Sequence, residues 1–313
     1  MPAPGDSHEV ATLGPPHSDP YACPDPSGYP HNGFWEIAGR HLDLLARPLL
    51  MGIVNITPDS FSDGGRCLEP ADAVAHAHAL AQAGADIIDL GGESSRPGAA
   101  PVSEHEELRR LLPVIEALRT SLDIPLSVDT TKSRVARLAL EAGASIINDI
   151  SALRFDRDMG RVVAEHRAGI VLMHMQGTPM TMQEHPRYEH VVNDVHAFFE
   201  ERLAAAASYG IPRSHIVLDP GIGFGKTLAH NVSLLTHLEA FQDFGRPILV
   251  GISRKAFIGQ LTGRPIGERL IGSVAAATAA ILRGARILRV HDVAALQDAV
   301  AVAAALRTSP SLG

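Results

Sequence analysis

The chain has 313 residues, enough for one large α/β domain and short for two well-separated ones. Hydrophobic residues make up 45% and aromatics only 4%, so the core has to be packed from Val, Ile, Leu and Ala. A formal charge of −8 with no dense run of Lys or Arg excludes a general nucleic-acid binder, which needs a basic footprint; an anionic substrate would need local cations or a metal ion.

The two cysteines, Cys23 and Cys67, form no CxxC pair. Neither a zinc site nor a disulfide framework is readable from them, and a reduced, cytoplasmic setting is expected. No apolar run approaches the length of about 18 residues that spans a bilayer, so no membrane association is expected. The first residues lack the basic start and apolar core of a signal peptide.

In chain order, residues 1–33 are rich in Pro, Gly, Ser, His and Asp and show no helical or strand period, which reads as a poorly ordered arm. Residues 34–313 read as one domain, opened over 34–48 by a short hairpin with Gly39-Arg40 near its turn. From residue 49 the chain alternates between short apolar runs and amphipathic stretches. The runs are Leu49–Val54, Asp86–Leu90, Pro125–Val128, Ser145–Ile147, Gly169–Met173, His215–Leu218, Pro247–Gly251 and Arg286–Val290. Such runs are how buried parallel strands read. Between them, Val74, Ala77, Leu80 and Ala81 recur at helical spacing, as do Val293, Leu296 and Val300. Gly84, Gly143, Gly210 and Gly284 fall where helices should stop. Eight such units in about 265 residues predict a single (β/α)8 TIM barrel. An open doubly wound sheet would more often carry a glycine-rich dinucleotide turn after its first strand, and Asn55-Ile56-Thr57-Pro58 is not one.

Most of the runs end in a polar residue: Asn55, Asp129, Asn148, His174, Asp219, Ser253 and His291, with Glu93 just beyond the second. In this barrel the strand ends face one mouth, so these groups are expected to converge there. Asn55 can offer an amide oxygen to a hard cation such as Mg2+. The loop after it holds small polar residues, one aromatic (Phe61) and two acids, Asp59 and Asp63; long loops of this kind are usually lids or disordered. Gly91-Gly92-Glu93-Ser94-Ser95-Arg96-Pro97-Gly98 brings donors on a backbone that can approach a ligand closely. Asp129 and Asn148 at neighbouring strand ends suit a flat heterocycle with donors and acceptors, although a protein donor facing Asp129 would also satisfy it. Met173 beside the mouth can pack on a planar ring. The segment Asp219-Pro220-Gly221-Ile222-Gly223-Phe224-Gly225-Lys226-Thr227 is not a P-loop, because Pro220 stands where that pattern needs glycine. Asp219 followed by Phe224 instead suggests a heterocycle pocket. Ser253-Arg254-Lys255 opens a short helical stretch, and Arg289 and His291 alternate on one strand face, so cations gather where barrels often bind anions.

Together these segments resemble those of the dihydropteroate synthase family, colinearly over about residues 34–307. The resemblance implies an enzyme that joins 7,8-dihydropterin-6-ylmethyl diphosphate to para-aminobenzoate and releases diphosphate, usually as a homodimer. It implies that Asn55 ligates Mg2+, and that Arg289 and His291, flanking Val290, bind the diphosphate with Ser95 nearby. Asp129, Asn148 and Asp219 would read the pterin edge, and Lys255 its carbonyl side. Met173 and Phe224 would line the ring. Phe61, Asp63, Arg96 and Pro97 would belong to loops that close over para-aminobenzoate, with Ser253 and Lys255 at the helix start that receives its carboxylate. Asp63 would stabilise the cationic pterin methylene left by a dissociative step. Ala256 stands where many relatives carry Ser, and Ser95 where Thr is commoner. A pterin-binding methyltransferase domain or a non-catalytic paralogue could share the Asp and Asn positions. The intact loops at Phe61–Asp63, Ser95–Pro97 and Ser253–Lys255 favour the synthase.

Overall fold

The structure, a computed structural model, describes residues 33–57 and 69–308. The arm up to residue 32, and the expected loop residues Phe61, Asp63 and Cys67, lie outside the described residues. The hairpin is present as β1 (Phe34–Ile37) and β2 (Arg40–Asp43), antiparallel and turned at Ala38-Gly39. Eight parallel strands then alternate with helices: β3 (Leu49–Asn55), α1 (Pro70–Gln82), β4 (Ile87–Gly91), α2 (Glu104–Arg119), β5 (Leu126–Asp129), α3 (Ser133–Ala142), β6 (Ile146–Asp149), α4 (Met159–Glu165), β7 (Gly169–Met173), α5 (Val191–Ser208), β8 (Ile216–Asp219), α6 (Leu228–Thr236), β9 (Ile248–Gly251), α7 (Ala256–Thr262), α8 (Leu270–Leu282), β10 (Ala285–Val290) and α9 (Val293–Thr308). The strands close in the order β10-β3-β4-β5-β6-β7-β8-β9, which is the expected TIM barrel.

Several strands run past their apolar runs. Asn55, Gly91, Asp129, Asp149 and Asp219 are paired in or close their strands rather than following them, because the parallel ladder continues through Gly91↔Asp129 and Asp129↔Asn148. Local chemistry sets the helix ends. Pro70 opens α1, where its missing N–H costs nothing. Ser103 caps α2 by accepting from Glu106 N at 3.3 Å. Thr227 and His230 form a capping box on α6. All four glycines expected at helix stops have positive φ, as a left-handed terminus requires.

Strand alternation sorts the core into two shells. Outward residues such as Ile88, Leu90, Val128, Ile147, Leu172, Leu218, Val250 and Leu288 pack under the helices. The inward residues of the lower barrel (Met51, Ile87, Ile146, Val171, Val217, Leu249 and Ile287) form a separate cluster with Trp35 and Ile37. The hairpin is thus the plug of the barrel floor, fastened by the indole N–H of Trp35 on His215 O at 2.8 Å. One residue pair higher, the same inward phase carries Asp89, Ser127, Asn148, Asp219 and Arg289, buried or nearly so. An apolar floor beneath a polar upper layer makes the strand C-termini the face where chemistry is held.

Candidate active site

The centre of the mouth is an Arg–carboxylate hub. Arg289 donates from Nε to Asp89 Oδ2 at 2.6 Å and from Nη2 to Asp129 Oδ2 at 2.8 Å. Asp89 is fully buried and also accepts from Ser127 Oγ at 2.6 Å and Asn148 Nδ2 at 3.2 Å. Asp129 thus has a protein donor. Burial raises its carboxyl above the usual carboxylate range and the neighbouring Asp89 adds to this, while Arg289 pulls it back. One guanidinium serving two carboxylates leaves this part of the mouth acidic, suited to a heterocycle rich in N–H donors.

Asp219 ends β8 and is buried; its Oδ1 accepts from Gly221 N at 2.7 Å. Burial raises this carboxyl too, opposed by Lys255, the Gly221 N–H, Lys226 and Arg289. Lys255 precedes α7 and donates to Ile222 O, with Nζ 4.7 Å from the Phe224 ring centre. Burial lowers its ammonium to about 8 although Asp219 draws it up. On the same side Met173, Met175, Met182 and Ile150 form a small apolar cluster with Phe224 packed against it. A thin apolar wall beside an edge of carboxylate and amide groups is the form of a planar heterocycle slot.

The remaining side of the mouth is built after β9 and β10. Ser253 Oγ accepts from His291 N at 3.3 Å and shares a hydrogen bond with His291 Nδ1 at 3.1 Å. Burial lowers the His291 imidazole to about 3, with Arg289 and Arg254 adding to it, so the ring is neutral at ordinary pH. Arg254 sits at φ +57° and pairs with Asp292, Nε to Oδ2 at 2.9 Å. Val290 was expected among the substrate contacts, but its side chain turns into the helix-facing core, because strand alternation points it away from Arg289.

The loop after β4 carries Ser95, half-buried, and Arg96 and Pro97, exposed. Gly98 N donates to Pro179 O at 3.0 Å and joins this loop to the one after β7. Its base is held by Lys132, whose ammonium lies 2.5 Å from both Glu93 Oε2 and the fully buried Glu107 Oε2. Val102 N donates to Glu93 Oε1 at 3.1 Å and Arg110 to Gly92 O at 2.8 Å. Asn55 is half-buried at the end of β3, beside Gly91. Among the described residues no group of three His, Cys, Asp or Glu side chains could hold a metal ion.

The expected strand-end residues Asn55, Asp129, Asn148, Met173, Asp219, Lys255, Arg289 and His291 therefore all belong to one mouth. Sequence reading missed Asp89, Ser127, Lys226 and Lys132. A signal existed for Asp89, which lies in the inward phase of Ile87 and Gly91, two positions before the strand end.

This geometry agrees with the chain's relatives. The model of the family described as "Pterin binding enzyme" matches residues 51–291. Dihydropteroate synthase of Escherichia coli (strain K12) is 50% identical over 266 residues, 84% of this chain and 93% of that one. Dihydropteroate synthase from Xanthomonas albilineans, solved with 4-aminobenzoic acid, superposes with a TM-score of 0.82 at 51% identity, covering 88% of this chain and 99% of the other. The same enzyme in complex with 7,8-dihydropteroate gives 0.79 at 48%, covering 88% and 100%. The chain belongs to the pterin-binding enzymes, as a member of the dihydropteroate synthase family.

Proposed function

We propose that this protein condenses 7,8-dihydropterin-6-ylmethyl diphosphate with para-aminobenzoate, giving 7,8-dihydropteroate and diphosphate. The observation that carries the reading is the convergence of Asp129, Asn148 and Asp219 with Lys255 and Arg289 around a slot walled by Met173 and Phe224. The adjacent 2-amino group and ring N–H of a pterin match the two oxygens of a buried carboxylate, and Asp219 has that character. Lys255 stands where it can donate to the carbonyl side. The related structures with 4-aminobenzoic acid and 7,8-dihydropteroate support this choice of substrates.

The chemistry follows from the charges. As the C–O bond to diphosphate breaks, negative charge collects on the leaving group, and Arg289 with His291 and Ser253 faces it from fixed positions. Asn55, half-buried at the end of β3, would hold Mg2+ through its side-chain amide oxygen, a hard donor suited to that ion. When bound, Mg2+ supplies Lewis-acid stabilisation of the leaving diphosphate. The pterin methylene left behind is cationic and Asp63 would stabilise it, with Phe61 and Pro97 on the loops assigned to close over para-aminobenzoate. The arylamine nitrogen is unprotonated near neutral pH, so attack needs no strong general base.

The reading extends to a cytoplasmic homodimer. No helix among the described residues is long and apolar enough to cross a membrane. Ile271 is 83% exposed, and Leu270 and Leu282 on α8 and Val302 and Leu306 on α9 are exposed with it, which supports a helix-face interface. The deciding experiment is diphosphate release by the purified chain, expected only with pterin diphosphate, para-aminobenzoate and Mg2+ together. Folded protein without turnover would sink the reading in favour of a non-catalytic pterin binder.

A further inference from the structure

Lys226 has no part in the chemistry above, yet among the described residues it is one of the most buried basic side chains, 3% exposed. Its ammonium lies 2.9 Å from His174 Nδ1, 3.0 Å from Phe224 O and 3.4 Å from His174 O. Three N–H groups thus face three acceptors. Among the described residues its hydrogen-bond partners are one ring nitrogen and two carbonyl oxygens, with no carboxylate among them. A buried cation without an ion pair is costly, so its place needs a reason.

Its partners give one. His174 follows β7, Phe224 belongs to the glycine loop after β8, and Lys226 joins them. The crossing is tight. A Cβ on Gly221, which has φ +67°, would meet His174 O at 1.9 Å and Lys226 Nζ at 3.4 Å. Two further bonds complete the knot: the backbone bond from His174 N to Asp219 O at 2.9 Å, and that from Gly221 N to the Asp219 side-chain Oδ1 at 2.7 Å.

We propose that Lys226 is a positioning residue for Asp219 and Phe224, its amine fastening the glycine loop to the end of β7 behind the pterin-reading carboxylate. The inference rests on the assignment of Asp219 to the pterin edge. Lys255 and Arg289 face Asp219 from the ends of β9 and β10, and Lys226 is the third cation acting on it, from its own loop. Burial lowers the Lys226 ammonium well below its ordinary value, Lys255 adds to this, and Asp219 opposes it. His174 stays neutral beside it and accepts, which assigns its proton to Nε2.

The test is pterin diphosphate binding by calorimetry across a pH series, with steady-state kinetics, on wild type, Lys226→Met, Lys226→Arg and Asp219→Asn. Lys226→Met is expected to weaken pterin binding about tenfold or more, with kcat at saturation within about threefold and KM for para-aminobenzoate within about twofold. Its binding should fail on the acid side about one pH unit higher than in wild type, because Asp219 has lost a neighbour that opposes the effect of its burial. Lys226→Arg should restore the acid limb in part. Should Lys226→Met not fold, His174→Leu, which removes the ring acceptor, and His174→Gln, which keeps one, carry the same comparison; only the Leu variant should move the acid limb. Wild-type affinity with an unmoved acid limb in a folded Lys226→Met, while Asp219→Asn abolishes binding, overturns the role of Lys226 alone. Wild-type binding by Asp219→Asn overturns the assignment of the pterin edge beneath it.

Discussion

Arg289 and Asp89, 200 residues apart in sequence, meet inside the barrel with Nε 2.6 Å from Oδ2, and the carboxylate is fully buried. The contact spans from β4 to β10 and holds the guanidinium against Asp129 as well. Asp89 therefore organises the mouth without standing at its rim.

Asp89→Asn keeps the shape and removes the charge. Breaking one side of a buried ion pair is expected to cost about 3–5 kcal/mol, read by urea denaturation, and activity should fall with the misplaced Arg289. An unchanged denaturation midpoint would show that Asp129 alone suffices to hold Arg289.

His174 provides a pH signature. Its imidazole is lowered to about 2, mainly by burial and then by Lys226 and Arg154. The unfolded chain takes up that proton near the ordinary histidine value while the native chain does not. The contribution is therefore fully present above about pH 6.5 and is lost as pH falls below it, amounting to about 2 kcal/mol by pH 5. His174→Gln should lose less stability than wild type between those two conditions by about that amount. Equal losses in the two proteins would contradict a neutral buried His174.

Lys132 makes an opposite prediction. Burial raises the Glu107 carboxyl, and the bond from Lys132 opposes that. Lys132→Met leaves Glu107 buried without its cation, so its folded-state carboxyl rises further. A carboxyl raised in the folded state contributes stability that is present at low pH and lost as pH rises through its folded value. The variant should therefore be destabilised by about 3 kcal/mol near neutrality and by less at about pH 5. Its KM for para-aminobenzoate should also rise, because the loop bearing Ser95 and Pro97 loses its anchor at Glu93. A penalty that grows on acidification would refute the pairing.

Asp63 is the residue on which the dissociative step depends. Asp63→Asn is expected to lower turnover about a hundredfold while pterin diphosphate affinity changes less than about threefold. A parallel loss of both in calorimetry and kinetics would assign Asp63 to ground-state binding instead.

Much of the site was legible because a barrel turns strand order into spatial convergence. Asn55, Asp129, Asn148, Asp219 and His291 each close or follow an apolar run, and eight such runs admit one closed arrangement. Asp89 and Ser127 were not legible by that rule. They sit within their runs, and their inward phase became visible only against neighbours such as Ile146 and Arg289. Val290 shows the same limit from the other side, since adjacency to Arg289 and His291 in sequence means the opposite face in a strand.

The sequence by itself determined the alternation of strand and helix, the glycine helix stops, and the polar strand ends that resemble the dihydropteroate synthase family. These rest on local period and residue type, which neighbours in the chain suffice to express. Only the tertiary structure decided which groups are partners: Arg289 with both Asp89 and Asp129, Lys226 with His174, and Lys132 with Glu93 and Glu107. The reason is physical. A buried charge is satisfied by whatever the closed barrel brings within hydrogen-bond reach, and that depends on register across strands distant in the chain.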